Sequence, residues 1–261
     1  MGIVSNLRRA AAATGLVAAV AIGSTAALVA AETNEPEARD WQFEGIFGTV
    51  DVASAQRGLQ VYLEVCASCH SLKYVAYRNL GALGFTEAEI KAIAADFEVT
   101  DGPDSEGEMF ERAAIPSDRF VSPFPNQEAA AAANGGAVPP DLTLQVKAQS
   151  GGADYLHALL TGYADAPDGV EVPAGSNYNP YFPGGFIAMP APLFEDGVEY
   201  SDGTAATVEQ MATDVVNFMQ WAAEPEMEQR KTTGFKVLIF LVILSALLYA
   251  AKRKMWANIE H

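Results

Sequence analysis

The chain has 261 residues, half of them hydrophobic, and a formal net charge of −17 at pH 7. Most of the excess acid lies between the two ends, because residues 32–229 contain 32 acidic and eight basic side chains, a net charge of −24. A segment so acidic will not bind nucleic acid and repels anionic lipid headgroups, whereas it attracts a basic partner. Its length is enough for one domain with its own hydrophobic core.

Residues 1–31 have the composition of a secretory signal peptide. Arg8 and Arg9 precede an apolar stretch of mainly Ala, Val, Leu and Gly, and Val29-Ala30-Ala31 offers small residues for cleavage before Glu32. A permanent N-terminal anchor is the alternative, but the alanine-rich composition and the good cleavage site disfavour it. We therefore expect that residues 1–31 are removed and that residues 32–229 are exported.

The segment Cys66-Ala67-Ser68-Cys69-His70 contains both cysteines of the chain, followed directly by a histidine. This spacing is typical of c-type haem attachment, in which two thiols add across the vinyl groups of one porphyrin and the imidazole binds the iron. A redox CxxC motif would follow a strand that the sequence lacks here. A zinc site would need more thiols or a clustered second histidine. The sequence therefore predicts one covalent haem c, with His70 as an iron ligand.

Apolar spacing predicts three helices around this segment. The first begins near Asp51 and carries the haem cysteines at its C-terminal end. The other two open with capping boxes and carry an apolar stripe, and the last ends at a proline. Their opening residues are Thr86 with Glu89, and Thr207 with Gln210. Since no long alternating strand pattern and no repeat appears, the predicted fold class is all-α, with long loops.

An acidic run follows the second predicted helix. Its members are Glu98, Asp101, Asp104, Glu106, Glu108 and Glu111, interrupted by two glycines and a proline. Two interpretations remain open, a solvated loop or a docking surface for a basic partner.

Residues 165–206 are rich in Gly, Pro, Asn and Tyr and indicate a long ordered loop that wraps the haem. A low-spin electron carrier needs a second axial ligand, which is usually Met or His. Met189 lies on a proline-stiffened part of this loop and is the preferred candidate. His157, in an apolar helical pattern, is the alternative, whereas Met211 and Met219 share the apolar stripe of the last helix and suit packing.

Residues 230–252 form the second strongly apolar segment. Val237–Ala251 carries no charge, and extension back to Thr232 gives twenty residues, enough to cross a bilayer if Lys236 snorkels to the interface. A buried core helix would not be flanked by cations at both ends. We therefore predict a transmembrane anchor at 230–252 with a short cytoplasmic tail at 253–261. Because the flanking charges are nearly balanced, the signal peptide sets the orientation.

Several motifs, in this order, resemble the cytochrome c1 family, the haem subunits of ubiquinol–cytochrome c reductase (cytochrome bc1) complexes. The resemblance covers essentially all of residues 41–256. It rests on these stretches: Arg57–Tyr62 before the CxxCH, Tyr74–Arg78, Asp101–Pro103, Gly107–Phe110, Pro139–Leu142, Asn179–Pro183 and Trp221–Pro225.

The resemblance implies a class I cytochrome c-type fold with one transmembrane helix. It also implies attachment at Cys66 and Cys69, with His70 and Met189 as the two iron ligands. The implied partners are cytochrome b, the Rieske iron–sulfur protein and a soluble basic cytochrome c, within a dimeric complex of the bacterial inner membrane whose haem domain faces the periplasm.

Two departures accompany the resemblance. Gln149 stands where the family often has an arginine near a haem propionate, so Arg119 or Lys147 would have to replace it. The extra cysteine pair of many bacterial members is absent. Two other functions use the same residues, a membrane-anchored cytochrome serving another oxidase or reductase, and a ligand-sensing haem protein with an open sixth position.

Overall fold

The computed structural model describes residues 33–258, so the predicted signal peptide at 1–31 lies outside the described residues. In this part of the chain the architecture is mainly helical, as the sequence predicts, with a few short strands. The α-helices are α1 Val52–Val61, α2 Glu87–Ala95, α3 Gln127–Ala133, α4 Gln145–Ala148, α5 Gly152–Thr161, α6 Val208–Ala223 and α7 Met227–Trp256. A π-helical turn, Tyr62–Cys66, continues α1, and a 3₁₀ helix covers Tyr77–Leu83.

Four short strands form two antiparallel pairs that the sequence analysis did not predict. Strand β1 (Glu98–Asp101) pairs with β2 (Phe110–Ala113), and β3 (Asn177–Tyr178) pairs with β4 (Phe186–Ile187). The acidic run is therefore a β-hairpin, with Glu98, Asp101 and Glu111 on its strands and Asp104, Glu106 and Glu108 in the segment that connects them. The second pair lies inside the region expected to be a long loop. It joins residues 177–178 to residues 186–187 and so closes the turn formed by residues 179–185.

The packing of α1 against α6 forms the centre of the hydrophobic core. Gly58 allows their close approach, because a Cβ at residue 58 would lie 2.0 Å from the carbonyl oxygen of Asp214. The Asp214 carboxylate is fully buried and accepts hydrogen bonds from Arg57 Nε at 2.9 Å and from Ser54 Oγ at 2.7 Å. This contact fixes α1, and with it the CxxCH segment, on the domain.

Both predicted capping boxes mark helix starts, and they differ in detail. Thr86 and Glu89 form the full capping box, with the Glu89 carboxylate accepting from the Thr86 backbone N–H. At the start of α6, Thr207 accepts from the Gln210 N–H at 3.1 Å, but the Gln210 side chain donates forward to Asp214. Only half of the second predicted box forms, because the buried carboxylate attracts its amide.

A strap of residues 34–50 runs over α5 and α6 before α1 begins. Trp41 Nε1 donates to Asp154 Oδ1 at 2.6 Å, and Arg39 pairs with Glu209 at 2.7 Å. The strap therefore ties the start of the domain to the helices that precede and follow the long loop.

The last helix, α7, is longer than the predicted anchor. It starts three residues before and ends four residues after residues 230–252, and its 30 residues span about 45 Å. Its mean hydropathy reaches 2.3 over 18 residues, none of them buried against the rest of the protein. This one helix is long and apolar enough to cross a membrane, and it is separated from α6 at Glu224-Pro225, as predicted.

Candidate haem site

The CxxCH segment folds back on the end of the π-helical turn. The carbonyl oxygen of Cys66 accepts hydrogen bonds from the backbone N–H groups of Cys69 and His70, at 3.1 and 2.9 Å. The hydroxyl of Tyr62 donates to the His70 carbonyl at 3.2 Å. Both cysteines are partly exposed and neither is in a disulfide. The two thiols and the imidazole are thus presented by one compact turn, and these donors fit the attachment of a haem.

The His70 imidazole is held in one tautomer. Its Nδ1 lies 2.8 Å from the carbonyl oxygen of Pro140. A carbonyl oxygen can only accept, so Nδ1 carries the proton and Nε2 keeps its lone pair. Burial lowers the pKa of the imidazole, which also favours the neutral ring. A neutral histidine whose other nitrogen is fixed by a carbonyl is the usual arrangement of a metal ligand.

Asp141 holds the segment that supplies this carbonyl. Its carboxylate accepts from Ser71 Oγ and the Lys73 N–H, each at 2.8 Å, and from the Thr143 N–H at 3.0 Å. Burial alone would raise the pKa of Asp141, but these hydrogen bonds outweigh it and lower the pKa. The carboxylate therefore fastens the residues after His70 to the residues after Pro140, and it positions the imidazole indirectly.

The thiol of Cys66 differs from that of a redox CxxC motif. Burial, and then the neighbouring Cys69, raise its pKa to about 12. Redox-active thiols have lowered pKa values, and a helix precedes Cys66 where a thioredoxin-type site has a strand. Within residues 33–258, no three His, Cys, Asp or Glu side chains are grouped to hold a metal ion by themselves.

Met189 lies between β4 and α6, and its backbone is fixed from two directions. Its carbonyl oxygen accepts from the Tyr163 hydroxyl at 3.0 Å and from Asn177 Nδ2 at 3.2 Å. Tyr163 follows α5, and Asn177 opens β3. Sequence reasoning selected Met189 but missed these two residues, since a bond to a backbone carbonyl leaves no local pattern.

The loop before Met189 is organised by a buried asparagine. Asn179 Nδ2 donates to the Leu159 carbonyl at 2.8 Å, and Asn179 Oδ1 accepts from the Tyr181 N–H at 3.1 Å. Its own N–H donates to the Gly185 carbonyl at 2.9 Å. These bonds anchor the turn between β3 and β4 to α5.

His157, the alternative ligand, is packed inside the domain. Its Nε2 lies 3.3 Å from Thr213 Oγ1 and 3.3 Å from a Glu209 carboxylate oxygen, and its ring edge meets Trp41. Burial and the positive charge of Arg39 lower its pKa. The imidazole joins α5 to α6 and to the strap.

The three residues considered near the propionates all have partners in the protein. Lys147 Nζ pairs with Glu224 at 3.0 Å, and Gln149 Nε2 donates to Gln145 at 3.1 Å. Arg119 donates to the Lys73 carbonyl at 2.9 Å, in the stretch that follows His70.

The acidic hairpin contains carboxylates of two kinds. Asp101 pairs with Arg112 at 2.5 Å, and the same guanidinium pairs with Asp118 at 2.6 Å. Asp104 accepts from two backbone N–H groups in the turn, at 2.8 and 3.0 Å. These carboxylates stabilise the hairpin, and hydrogen bonds hold the pKa of Asp101 and of Asp104 below the usual value.

The side chains of Glu98, Glu106 and Glu108 make no hydrogen bond or ion pair with other residues in 33–258, and all three are exposed. The neighbouring apolar side chains of Met109 and Phe110 are also exposed, by 59% and 44%. These exposed groups belong to the same hairpin, and we call its three free carboxylates together the acidic face.

Comparison with known proteins agrees with this geometry. A sequence model described as "Cytochrome C1 family" matches residues 41–259. The chain is 48% identical to cytochrome c1 of Rhodospirillum rubrum, with 98% of each protein covered. It is 55% identical to a mitochondrial cytochrome c1 heme protein of Arabidopsis thaliana, over 84% of this chain and 72% of the relative. It is also 47% identical to cytochrome b/c1 of Bradyrhizobium diazoefficiens, over 87% of this chain and 36% of that longer protein.

The helical domain, the CxxCH turn and the apolar helix α7 are the features of a c-type cytochrome with a helix that could span a membrane. With these matches, the chain belongs to the cytochrome c1 family, and the resemblance found in the sequence is confirmed.

Proposed function

We propose that this chain is the haem-bearing electron carrier of a cytochrome bc1 complex and holds one covalently attached haem c. Membership of the cytochrome c1 family supports the role of haem-bearing electron carrier. The relative whose name joins cytochromes b and c1 supports assembly with cytochrome b. When bound, the haem supplies a one-electron iron couple. The observation that carries the proposal is the bond between His70 and Pro140, which leaves Nε2 available beside two thiols at attachment spacing.

Each site residue has a distinct role in this proposal. Cys66 and Cys69 form the thioether links, while His70 and Met189 bind the iron from its two sides. Support for Met189 comes from the two hydrogen bonds that fix its backbone. Because this part of the loop is already ordered, binding of the thioether to iron would cost little conformational entropy. The packed environment of His157 supports its role as a structural residue.

Electrons reach this site from the Rieske iron–sulfur protein and leave to a soluble basic cytochrome c. The chain's own residues position and tune the haem, and they perform no acid–base chemistry. The acidic face is the docking surface in this proposal. Its unpaired carboxylates support that role, since exposed charges of one sign raise the encounter rate with a partner of opposite charge.

The proposed topology places the haem domain in the periplasm, with α7 crossing the bacterial inner membrane within a dimeric complex. The apolar, unburied surface of α7 supports the anchor, and the composition of residues 1–31 supports export by a cleaved signal peptide. A chain truncated after Glu228 should be released into the periplasm with its haem, because α7 contributes attachment and not the site. Membrane association of that fragment would contradict the proposed anchor.

The central experiment asks whether the haem is covalent. Denaturing electrophoresis followed by a haem-peroxidase stain should label a band of the processed chain. Replacing Cys66 and Cys69 together by alanine should remove the label, whereas Ser68→Ala, between them, should keep it. Stain that runs with free haem in the wild type would refute the proposal.

Carbon monoxide separates the electron carrier from a ligand-sensing protein. A ferrous haem with Met189 bound should show no spectral change with carbon monoxide, whereas Met189→Leu, which keeps a similar volume, should bind it. A wild-type haem that binds carbon monoxide readily would favour the ligand-sensing function. If both proteins leave the spectrum unchanged, a different residue fills the sixth position.

A further inference from the structure

An exposed apolar loop lies beside the first turns of α7. It comprises residues 44–48, and we call it the 44–48 loop. Ile46 and Phe47 are 73% and 74% exposed, although Trp41 and Phe43 just before them are buried in the core. Large apolar side chains exposed next to each other on a loop tip point to a contact outside the domain.

The loop is fastened to α7 by polar and apolar contacts. Lys231 Nζ donates to the carbonyl oxygen of Phe43, just before the loop, at 2.6 Å and to that of Gly48, its last residue, at 2.9 Å. The ring of Phe47 meets the ring of Phe235 edge-on, with centroids 6.0 Å apart. Because both hydrogen bonds come from Lys231 of α7, the position of the loop along the axis of this helix is fixed.

The loop is also rigid in itself. Gly48 lies so close to Glu44 that a Cβ there would be 1.9 Å from the Glu44 carbonyl oxygen, and Gly45 has a φ of +69°. The Thr49 N–H donates to the Gln42 carbonyl at 3.0 Å and closes the base. Only glycine allows this tight turn, which presents the two apolar side chains at its tip.

The apolar surface of the loop is continuous with that of α7. Loop and helix line a groove of about 490 Å³ whose walls combine the apolar side chains of Phe47, Phe235 and Leu238 with the charged residues Glu228, Arg230 and Lys231. A cation bordering apolar surface matches the boundary between headgroups and acyl chains. Glu44, the one charged residue among positions 44–48, is exposed and suits the headgroup level.

We propose that Ile46 and Phe47 insert into the membrane interface and give the haem domain a second membrane contact beside α7. The inference rests on the proposed anchor. A domain of net charge −24 is repelled by anionic headgroups, so a single helix after a Pro-containing break would let it tilt away. Two attached points fix its orientation. Apolar faces of interfacial helices lie about 5–10 Å into the boundary between headgroups and acyl chains, and we expect the side chains of Ile46 and Phe47 to reach a similar depth.

The test measures reaction of introduced thiols with a membrane-impermeant maleimide, using full-length haem-loaded protein in phosphatidylcholine vesicles. Ile46→Cys and Phe47→Cys test the loop. Leu241→Cys, within α7, marks a thiol in lipid. Phe194→Cys marks a thiol in water, since Phe194 is 64% exposed and lies near the start of α6, the end away from α7. The wild type gives the blank, because both native cysteines carry haem.

We expect thiols at 46 and 47 to react at least about tenfold more slowly than at 194, because lipid excludes the reagent and disfavours the reactive thiolate. Equal rates at 46, 47 and 194, with a slow rate at 241, would overturn the inference and leave the anchor intact. A fast rate at 241 would overturn both. Protection at 46 only in a complex containing cytochrome b would also overturn it, since a protein surface would then cover the loop. A labelled wild type would refute covalent haem without touching this inference.

Discussion

We expect the proposed attachment of Met189 to iron to depend on two residues that are not proposed as ligands. Tyr163 and Asn177 hold the Met189 carbonyl oxygen, at 3.0 and 3.2 Å, and no other hydrogen bond to that oxygen is made by residues 33–258. Tyr163→Phe removes one hydroxyl and keeps the ring. We expect this change to raise the fraction of molecules in which the thioether has left the iron.

The size of the effect follows from the bond that is lost. A neutral hydrogen bond contributes about 0.5–1.5 kcal/mol, which corresponds to about a two- to twelvefold change in an equilibrium constant. An external ligand binds only molecules in which Met189 is displaced, so its apparent affinity rises by the same factor. Asn177→Ala should also raise the apparent affinity. In the double variant the increase should be at most the product of the two single increases.

The assay is an absorbance titration of the oxidised protein with imidazole. Tyr178→Phe is the matched control, since its hydroxyl makes no hydrogen bond to residues 33–258 and its ring contact with Phe186 is kept. Met189→Leu sets the upper limit of the affinity. If Tyr163→Phe binds imidazole no better than the wild type and Tyr178→Phe, the two hydrogen bonds do not position the ligand and the reasoning is wrong.

Three further outcomes test the structure. Asp141→Ala removes three hydrogen bonds to a carboxylate and should destabilise the haem-loaded protein by about 2–4 kcal/mol in thermal unfolding, with Asp141→Asn in between; an unchanged midpoint would contradict its positioning role. Gly58→Ala should separate α1 from α6 at a cost of about 1–3 kcal/mol, measured by the same method, whereas Gly81→Ala, whose Cβ would meet its nearest neighbour at an ordinary 3.7 Å, should cost less. Replacing Glu98, Glu106 and Glu108 by Gln should slow electron transfer to basic cytochrome c at low salt and flatten its salt dependence, while reduction by the Rieske protein stays the same. Identical rates at every salt concentration would indicate a solvated surface without a partner.

Helices α1, α2, α6 and α7 were predictable because their signals are local, whereas the short helices α3 and α4 were not predicted. Apolar spacing and the Thr86 cap identified α1, α2 and α6, and Pro225 marked the break before α7. The π-helical turn at Tyr62–Cys66 was not predicted, because a single widened turn hardly alters the apolar period. The strands were missed since two to four residues are too short for an alternating pattern.

The acidic run shows why a charge count cannot identify free charges. In the sequence its six carboxylates are equivalent. In the structure Asp101 is paired with Arg112 and Asp104 closes a turn, so neutralising these two would disturb the hairpin itself. A docking experiment is informative only at the unpaired glutamates, and that distinction depends on contacts across the two strands.

In the candidate site, too, sequence patterns indicate some residues, whereas others are found only from contacts in the tertiary structure. The proposed ligands could be selected from sequence because haem chemistry restricts candidates to a few residue types, and the attachment motif to a recognisable spacing. The residues that hold them act through backbone carbonyls: Pro140 accepts from His70, and Met189 is itself the acceptor for Tyr163 and Asn177. Since every residue has a carbonyl oxygen, such contacts place no constraint on the type of the acceptor residue. The positioning of both ligands therefore depends on tertiary structure, and Asp141, whose carboxylate joins the residues after His70 to those after Pro140, is the clearest example.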